Sequence, residues 1–114
     1  MSIQFRKLMD TNVLANIHLY NLFLPLILKG DAKKVVAISS MTADIDLVKN
    51  HDLANFAPYS ASKAAMNLIT AKFSAEYKER GVLFLSVCPG IVDTGYFKER
   101  MCSFCILITS RAPD

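Results

Sequence analysis

Two short apolar runs separated by a long helical segment constrain the fold of this chain more than any other feature. The runs are "KVVAISS" (34–40) and "VLFLSVCPG" (82–90), and each carries apolar residues on both faces. Strands of that kind are typical of parallel sheets that are covered by helices on both sides. The segment between them, "YSASKAAMNLITAKFSAEYKERG", predicts a helix over 59–80 that stops at Gly81. A strand, a helix and a second strand in this order predict an α/β fold with a parallel sheet.

A second helix is predicted at the start of the chain. Apolar residues recur there at helical spacing over 5–28. Pro25 is expected to bend or end this helix, and Gly30 is expected near its C-cap. Residues 41–58 are polar and irregular and are interpreted as a long loop. The later helix is expected to pack through an apolar stripe formed by Ala64, Leu68, Ala71 and Ala75.

The bulk composition limits the classes of protein to consider. With 114 residues, 53% of them hydrophobic and 20% charged, the chain is expected to form one globular domain. The net charge of +3 is spread along the chain, which argues against a nucleic-acid-binding surface. The apolar run "LFLPLIL" (22–28) is much shorter than the ~20 residues of a membrane span. Three cysteines and no signal-peptide pattern favour a soluble protein of the cytoplasm.

Tyr59 and Lys63 are the first candidates for chemistry. Side chains at positions i and i+4 of a helix share a face, so the Lys63 ammonium is expected near the Tyr59 hydroxyl. A nearby cation favours the ionised phenol, and such a phenol can exchange a proton with a substrate oxygen. On its own, however, this spacing is more often a solvent-exposed pair on a helix surface.

The surroundings of this pair add polar groups at places where ligands bind. Ser39 and Ser40 end the first predicted strand, and the second strand ends at Pro89-Gly90. Open α/β sheets bind ligands at the carboxyl ends of their strands. Asn12 lies inside the first helix, where an amide is unfavourable unless it bonds to a nearby group.

Four motifs resemble the short-chain dehydrogenase/reductase family, whose members use NAD(H) or NADP(H) on a Rossmann sheet. The motifs are "NVLA" from Asn12, "ISS" at 38–40, "YSASK" at 59–63 and "PGIVDT" at 89–94, and they occur in the family's order. The resemblance covers residues 5 to about 97. It implies a partial Rossmann-like, doubly wound parallel sheet that corresponds to the C-terminal half of a family member.

The resemblance also implies a role for each matched residue. Tyr59 would be the general acid/base for a carbonyl or secondary alcohol, and Lys63 would assist it and bind the nicotinamide ribose. Ser40 would hold the substrate oxygen, with Ser39 as the alternative, and Asn12 would hold a water that links Lys63 to solvent. The residues implied to contact the cofactor, NAD or NADP, are Asn12, Tyr59, Lys63, Pro89, Gly90, Ile91 and Thr94.

Several departures from the family pattern are evident. The interval from Ser40 to Tyr59 is longer than usual, and Ala15 stands where the asparagine motif usually has glycine. The four glycines, Gly30, Gly81, Gly90 and Gly95, form no Gly-x-x-x-Gly-x-Gly turn of the kind that binds pyrophosphate. The chain is therefore expected to be a truncated member, with a partial cofactor-binding domain over 1–97 and a divergent tail over 98–114.

Two functions follow as expectations. The first is an NAD(P)-dependent oxidoreductase that acts on a small carbonyl or alcohol substrate. The second is an inactive fragment that serves as an interaction module, because family members pair through the helices corresponding to 5–28 and 59–80. Such pairing would give a homodimer or an association with an intact relative. No metal site is expected, since Cys102 and Cys105 lack a second pair and the loop aspartates Asp44, Asp46 and Asp52 suit solvated turns.

Overall fold

The computed structural model describes residues 2–90 and the backbone of residues 105–107. A continuous helical segment opens the chain and consists of α1 (Ser2–Met9), a π-helical turn (Asp10–Leu14) and α2 (Ala15–Lys29). Strand β1 (Lys34–Ile38) follows, then a 3₁₀ turn (Met41–Ala43) and the short helix α3 (Ile45–Asn50). The long helix α4 (Ala57–Tyr77) continues into a 3₁₀ turn (Lys78–Arg80), and strands β2 (Leu83–Cys88) and β3 (Cys105–Leu107) complete the description.

The described sheet has the strand order β1-β2-β3. Strands β1 and β2 are parallel, with Ala37 opposite Ser86, so the predicted parallel α/β arrangement is correct. Strand β3 runs antiparallel to β2. β3 was not predicted, because three residues are too few to show a periodic pattern.

The core lies between one face of the sheet and the two long helices. Tyr20 of α2 sits at its centre, with ring centroids 5.1 Å from Phe73 of α4 and 5.5 Å from Phe84 of β2. Both contacts are edge-to-face, the arrangement that aromatic pairs favour. Around this cluster pack the buried side chains of Val13, Leu24, Met66 and Val82.

The other face of the sheet is open in the described part of the chain. Val36 and Ile38 of β1 are each more than half exposed. The prediction that β1 is buried on both faces is therefore wrong for this structure, since the helices described here cover one face only. The opposite face of β1 holds the buried residues Ala37 and, just after the strand, Ser39.

The first helix does not end at Pro25. Proline was expected to bend or end the helix, and the second alternative is wrong, because α2 continues through Pro25 to Lys29 and is followed by Gly30 as the C-cap; the bend stays a prediction. Pro25 lies on the exposed side, where a helix can open slightly to accommodate the ring. Core contacts on both sides of it, by Leu24 and by Ile27, hold the helix together.

The same helical segment is long and apolar enough to cross a membrane if length and composition alone are considered. Three of its side chains, Val13, Tyr20 and Leu24, are nevertheless buried against α4 and the sheet. A core helix of a globular fold meets the same criteria of length and apolar composition. In this structure one face of the segment packs in the core, while 17% of its most apolar window is buried.

The segment 41–58 is more ordered than the predicted loop. It contains the 3₁₀ turn and α3, and the Asp44 side chain caps α3 by accepting a hydrogen bond of 2.9 Å from the Leu47 N–H. An aspartate at this position satisfies one of the unpaired N–H groups of the first turn. Asp44 was predicted to be a solvated turn residue, and its capping role gives that residue a specific structural purpose.

The buried face of α4 is not the predicted one. The predicted stripe includes Leu68 and Ala75, which are exposed, whereas the buried positions are Ser62, Met66, Thr70 and Ser74. Small hydroxyl residues can be buried here because helix carbonyls and the neighbouring helix satisfy them. Thr70, for example, donates to the Met66 carbonyl at 2.9 Å and bonds to the Tyr20 hydroxyl at 3.1 Å.

A polar contact joins the first helical segment to the start of α4. The Asn12 amide donates to the Ser62 hydroxyl at 2.9 Å, and that hydroxyl donates to the Tyr59 carbonyl at 2.7 Å. Asn12 lies in the π-helical turn, and its own carbonyl accepts from the Asn16 side chain at 2.9 Å. Because π-turns disturb the regular backbone bonding, the amide of Asn16 compensates at this point. The contact fixes the first turn of α4 in position.

We predict that Ser62→Ala lowers the free energy of unfolding by about 1–3 kcal/mol, because the part-buried Asn12 amide loses its partner. Urea denaturation followed by circular dichroism measures this difference. The Asn12→Ala/Ser62→Ala double variant should lose less than the sum of the two single variants, since it removes both partners together.

Ser60→Ala is the matched control for this substitution. Ser60 lies on the same turn of α4 and has no hydrogen-bond partner for its hydroxyl among the residues described. Its removal is expected to change stability by less than about 0.5 kcal/mol. Equal losses for Ser60→Ala and Ser62→Ala would contradict a specific contribution from the Asn12 contact.

Candidate active site

A cavity of about 430 Å³ lies where β1 and β2 end and α4 begins. This is the carboxyl edge of the parallel strands, where open α/β sheets bind their ligands. Its walls come from the end of β1, from the segment before α4 and from the end of β2. The lining residues are Ile38, Ser39, Ser40, Met41, Thr42, Asp52, Leu53, Ala54, Asn55, Phe56, Tyr59, Cys88, Pro89 and Gly90.

Lys63 lies beside the Tyr59 ring, and its predicted proximity to the Tyr59 hydroxyl stays a prediction. The Lys63 ammonium lies 5.7 Å from the centroid of the Tyr59 ring, and Tyr59 itself lines the cavity. Lys63 also donates a hydrogen bond of 2.9 Å to the carbonyl of Ile38, at the end of β1. The lysine thus connects the start of α4 to the strand that carries the two serines.

Partial burial changes the electrostatics of Lys63. Desolvation lowers the pKa of its ammonium from the ordinary value of 10.5. Burial disfavours the charged form of a lysine because the apolar surroundings replace water poorly.

Ser40 lies at the cavity and is held by Thr42, a residue that the sequence reasoning missed. The Thr42 N–H donates to the Ser40 hydroxyl oxygen at 3.4 Å, and the two hydroxyls lie 3.0 Å apart. A hydroxyl offers one donor and two acceptor positions. If both Thr42 groups donate, the Ser40 proton is left for a substrate oxygen. The serine-threonine spacing is the sequence signal for such a local turn.

Ser39 also lines the cavity but is almost completely buried, with 5% of its surface exposed. Its hydroxyl finds no hydrogen-bond partner within the described residues, and the same is true of Ser86 on β2. An unpaired buried hydroxyl costs stability. Ser40, with its exposed side and its two contacts to Thr42, is the better placed of the two predicted serines to meet a substrate.

Asn12 acts on the site indirectly. Its side chain reaches Ser62 and, through it, the backbone of Tyr59. No direct hydrogen bond to Lys63 is found in the described region, so the water-mediated link between the two stays a prediction. The geometry assigns Asn12 a positioning contribution to the turn that carries Tyr59.

The end of β2 supplies backbone to the cavity. Pro89 and Gly90 line it, and Gly90 has a positive φ of 73°, which glycine adopts without strain. Ile91 and Thr94, also implied to contact a cofactor, lie outside the described residues, as does the expected boundary between 97 and 98. Within the described residues no group of three or more His, Cys, Asp or Glu side chains could hold a metal ion.

Comparison with solved structures gives the same fold. The NADPH-bound carbonyl reductase from chicken fatty liver superposes with a TM-score of 0.75 at 26% identity. The match covers 88% of this chain and 43% of that structure. This similarity confirms the partial Rossmann-like fold.

Sequence comparison identifies the family. The short-chain dehydrogenase/reductase iacC of Pestalotiopsis fici is 53% identical over 91 residues, covering 80% of this chain and 34% of that protein. The short chain dehydrogenase virK of Hypocrea virens is 51% identical over 93 residues, with coverages of 82% and 34%. This chain thus spans about a third of the length of these curated relatives. The family model for short chain dehydrogenases matches residues 2–102, and the chain belongs to the short-chain dehydrogenase/reductase family.

Proposed function

We propose that this chain carries the proton-transfer half of an NAD(P)-dependent oxidoreductase site that acts on a carbonyl or a secondary alcohol. Membership of an oxidoreductase family supports the reaction class. The observation that carries the proposal is the shared cavity, in which the Tyr59 side chain, the Ser40 hydroxyl and the Gly90 backbone meet. A substrate oxygen placed there would face a phenol that can supply the one proton that carbonyl reduction requires and a second hydroxyl that can hydrogen-bond to the oxygen.

The proton-transfer step follows from the chain's own residues. The Tyr59 hydroxyl would give its proton to the carbonyl oxygen in reduction and would take it back in oxidation. Ser40 would orient that oxygen with the proton that Thr42 leaves free. The Lys63 ammonium, 5.7 Å from the phenol ring, would favour negative charge on the tyrosine as the proton leaves.

The residues present fit one end of a dinucleotide. Gly90 has no side chain to block the approach of a flat ring, and Lys63 could give up the Ile38 carbonyl to bind ribose hydroxyls. When bound, the nicotinamide would supply the hydride. The sequence contains no glycine-rich turn for the pyrophosphate, so these contacts support the nicotinamide end only.

A second observation supports self-association. Four large apolar side chains on the outer face of α2, Leu19, Leu22, Phe23 and Leu26, are between 48% and 68% exposed. Their spacing places them in one stripe, and an exposed stripe of this size is typical of helix pairing. We propose that this α2 stripe pairs with the same stripe of a second copy around a two-fold axis.

The first prediction tests the proposed reaction. We expect Tyr59→Phe to lower turnover of a ketone with NADH by about 10²- to 10⁴-fold, because the phenol proton is lost. The dissociation constant of NADH should stay within about twofold of the wild-type value, since the substitution keeps the aromatic ring and removes only the hydroxyl. Absorbance at the nicotinamide band measures turnover, and calorimetry measures binding.

The wild-type chain supplies the control for the cofactor. If its contacts reach the nicotinamide end only, reduced nicotinamide mononucleotide and NADH should bind with dissociation constants within about threefold of each other. Absence of binding for both compounds would overturn the proposed function. Unchanged turnover in Tyr59→Phe would remove the assigned role of Tyr59.

The second prediction concerns Lys63 and pH. The pKa of Lys63 in the folded chain is below 10.5, the value that the unfolded chain is expected to have. In the pH window between the folded and the unfolded pKa, the unfolded chain therefore binds more protons than the folded chain. The stability of the wild type relative to Lys63→Met should therefore rise as the pH increases from neutral through this window. Below the window both states are protonated and the folded chain bears the full cost of the buried charge.

Urea denaturation of both proteins between pH 7 and pH 10.5 checks this expectation. Taking the difference between them cancels the contribution of Tyr20, whose pKa is raised by burial. Lys72→Met serves as the control, because Lys72 is exposed on the same helix. Parallel pH profiles for the wild type and Lys63→Met would contradict the effect.

The third prediction concerns the α2 stripe. We expect Leu22→Lys to raise the dimer dissociation constant by at least about tenfold, because it places a charge at the centre of an apolar contact. Light scattering over a concentration series measures the change. Ile45→Lys is the control, since Ile45 is an exposed apolar residue on α3, away from the stripe. A wild-type chain that stays monomeric at about 100 μM would count against the pairing.

A further inference from the structure

Phe56 occupies an unusual position at the cavity. It is the last residue before α4 and lies three positions ahead of Tyr59. Its side chain lines the same cavity as Ser40 and Tyr59. Its carbonyl accepts a hydrogen bond of 2.9 Å from the Ser60 N–H, so the backbone at this point belongs to the first turn of the helix.

The backbone of Phe56 has a conformation that phenylalanine disfavours. Its φ and ψ angles are 61° and 33°, in the left-handed region that glycine and asparagine adopt most readily. As the N-cap of α4, Phe56 also offers no side-chain hydrogen bond to the helix. Asparagine, serine, aspartate and glycine are the residues favoured at an N-cap. Local structure therefore gives no reason for an aromatic residue here.

Core packing gives no reason either. Phe56 is 71% exposed, in contrast to the core ring of Phe84, which is completely buried. Residues in sparsely populated backbone regions cluster at functional sites, where the surrounding structure maintains them. Phe56 is one of the residues that line the cavity, and Met41, whose side-chain type contacts aromatic rings favourably, is another.

We propose that Phe56 determines substrate specificity by forming an aromatic wall that favours planar, aromatic carbonyl compounds or alcohols. This inference rests on the proposed function, because it assumes that the reacting oxygen faces Tyr59 and Ser40. With the oxygen placed there, the body of the substrate would extend along the cavity that Phe56 also lines. A cavity of about 430 Å³ is in the range that accommodates small organic ligands.

The test uses two ketones that differ only in the ring, acetophenone and cyclohexyl methyl ketone. Ligand-observed NMR on the full chain without cofactor measures the dissociation constant of each. We expect the wild type to bind the aromatic ketone about three- to tenfold more tightly, the size of an aromatic pair contribution. Phe56→Leu should abolish this preference while keeping an apolar side chain of similar volume. Phe5→Leu, which removes an exposed ring on α1, should keep it.

A second variant separates specificity from a structural role. Phe56→Gly should raise the melting temperature by a few degrees, because glycine relieves the left-handed backbone. A structural phenylalanine would give a lower melting temperature instead. Equal preference in the wild type and Phe56→Leu, or a destabilised Phe56→Gly, would overturn the proposal.

The two proposals fail in different measurements. The ring preference is measured without cofactor, whereas the reaction depends on NADH binding and on turnover. A ring preference that depends on Phe56 in a chain that binds no cofactor would overturn the oxidoreductase function and support Phe56 as a ligand wall. Turnover with no ring preference would overturn the role of Phe56 alone.

Discussion

The contact between Asn12 and Ser62 is the interaction on which the arrangement of the site depends. It joins the π-helical turn of the first helical segment to the first turn of α4. The Ser62 hydroxyl in turn donates a hydrogen bond to the Tyr59 carbonyl. Tyr59 therefore takes its position from the packing of two helices. A π-turn beside a candidate active site is consistent with the tendency of such turns to occur where function requires them.

The sequence predicted which candidate residues lie together because their placement depends on spacing. The i, i+4 interval of Tyr59 and Lys63 and the polar residues at the ends of β1 and β2 need only regular helix and strand geometry to meet. Tyr59, both serines and the Pro89-Gly90 turn therefore line one cavity. Thr42 and Phe56 were missed, because a local hydroxyl contact and a left-handed residue leave no periodic signal in the sequence.

The errors in the predicted fold share one physical origin, which is tertiary packing. Hydrophobicity favoured the face of α4 that holds Leu68, yet the helix buries Ser62 and Thr70, whose hydroxyls are satisfied by carbonyls and by the neighbouring helix. In the same way, core contacts on both sides of Pro25 stabilise α2 across this proline, which would end an isolated helix. Neither the buried face of α4 nor the continuation of α2 could be predicted from the sequence of that helix alone, since each depends on the elements that pack against the helix.

The two faces of β1 link the stability of the sheet to the site. One face is covered by the helices, while Val36 and Ile38 on the other are exposed, so β1 is held mainly through its pairing with β2. The hydrogen bond from Lys63 to the Ile38 carbonyl lies at the end of this strand, directly before Ser39 and Ser40. A lysine that moved to a ribose would release that carbonyl. Cofactor binding and the order of the serine segment would then be coupled through a single ammonium group, with the burial of Lys63 setting the energetic balance between its two partners.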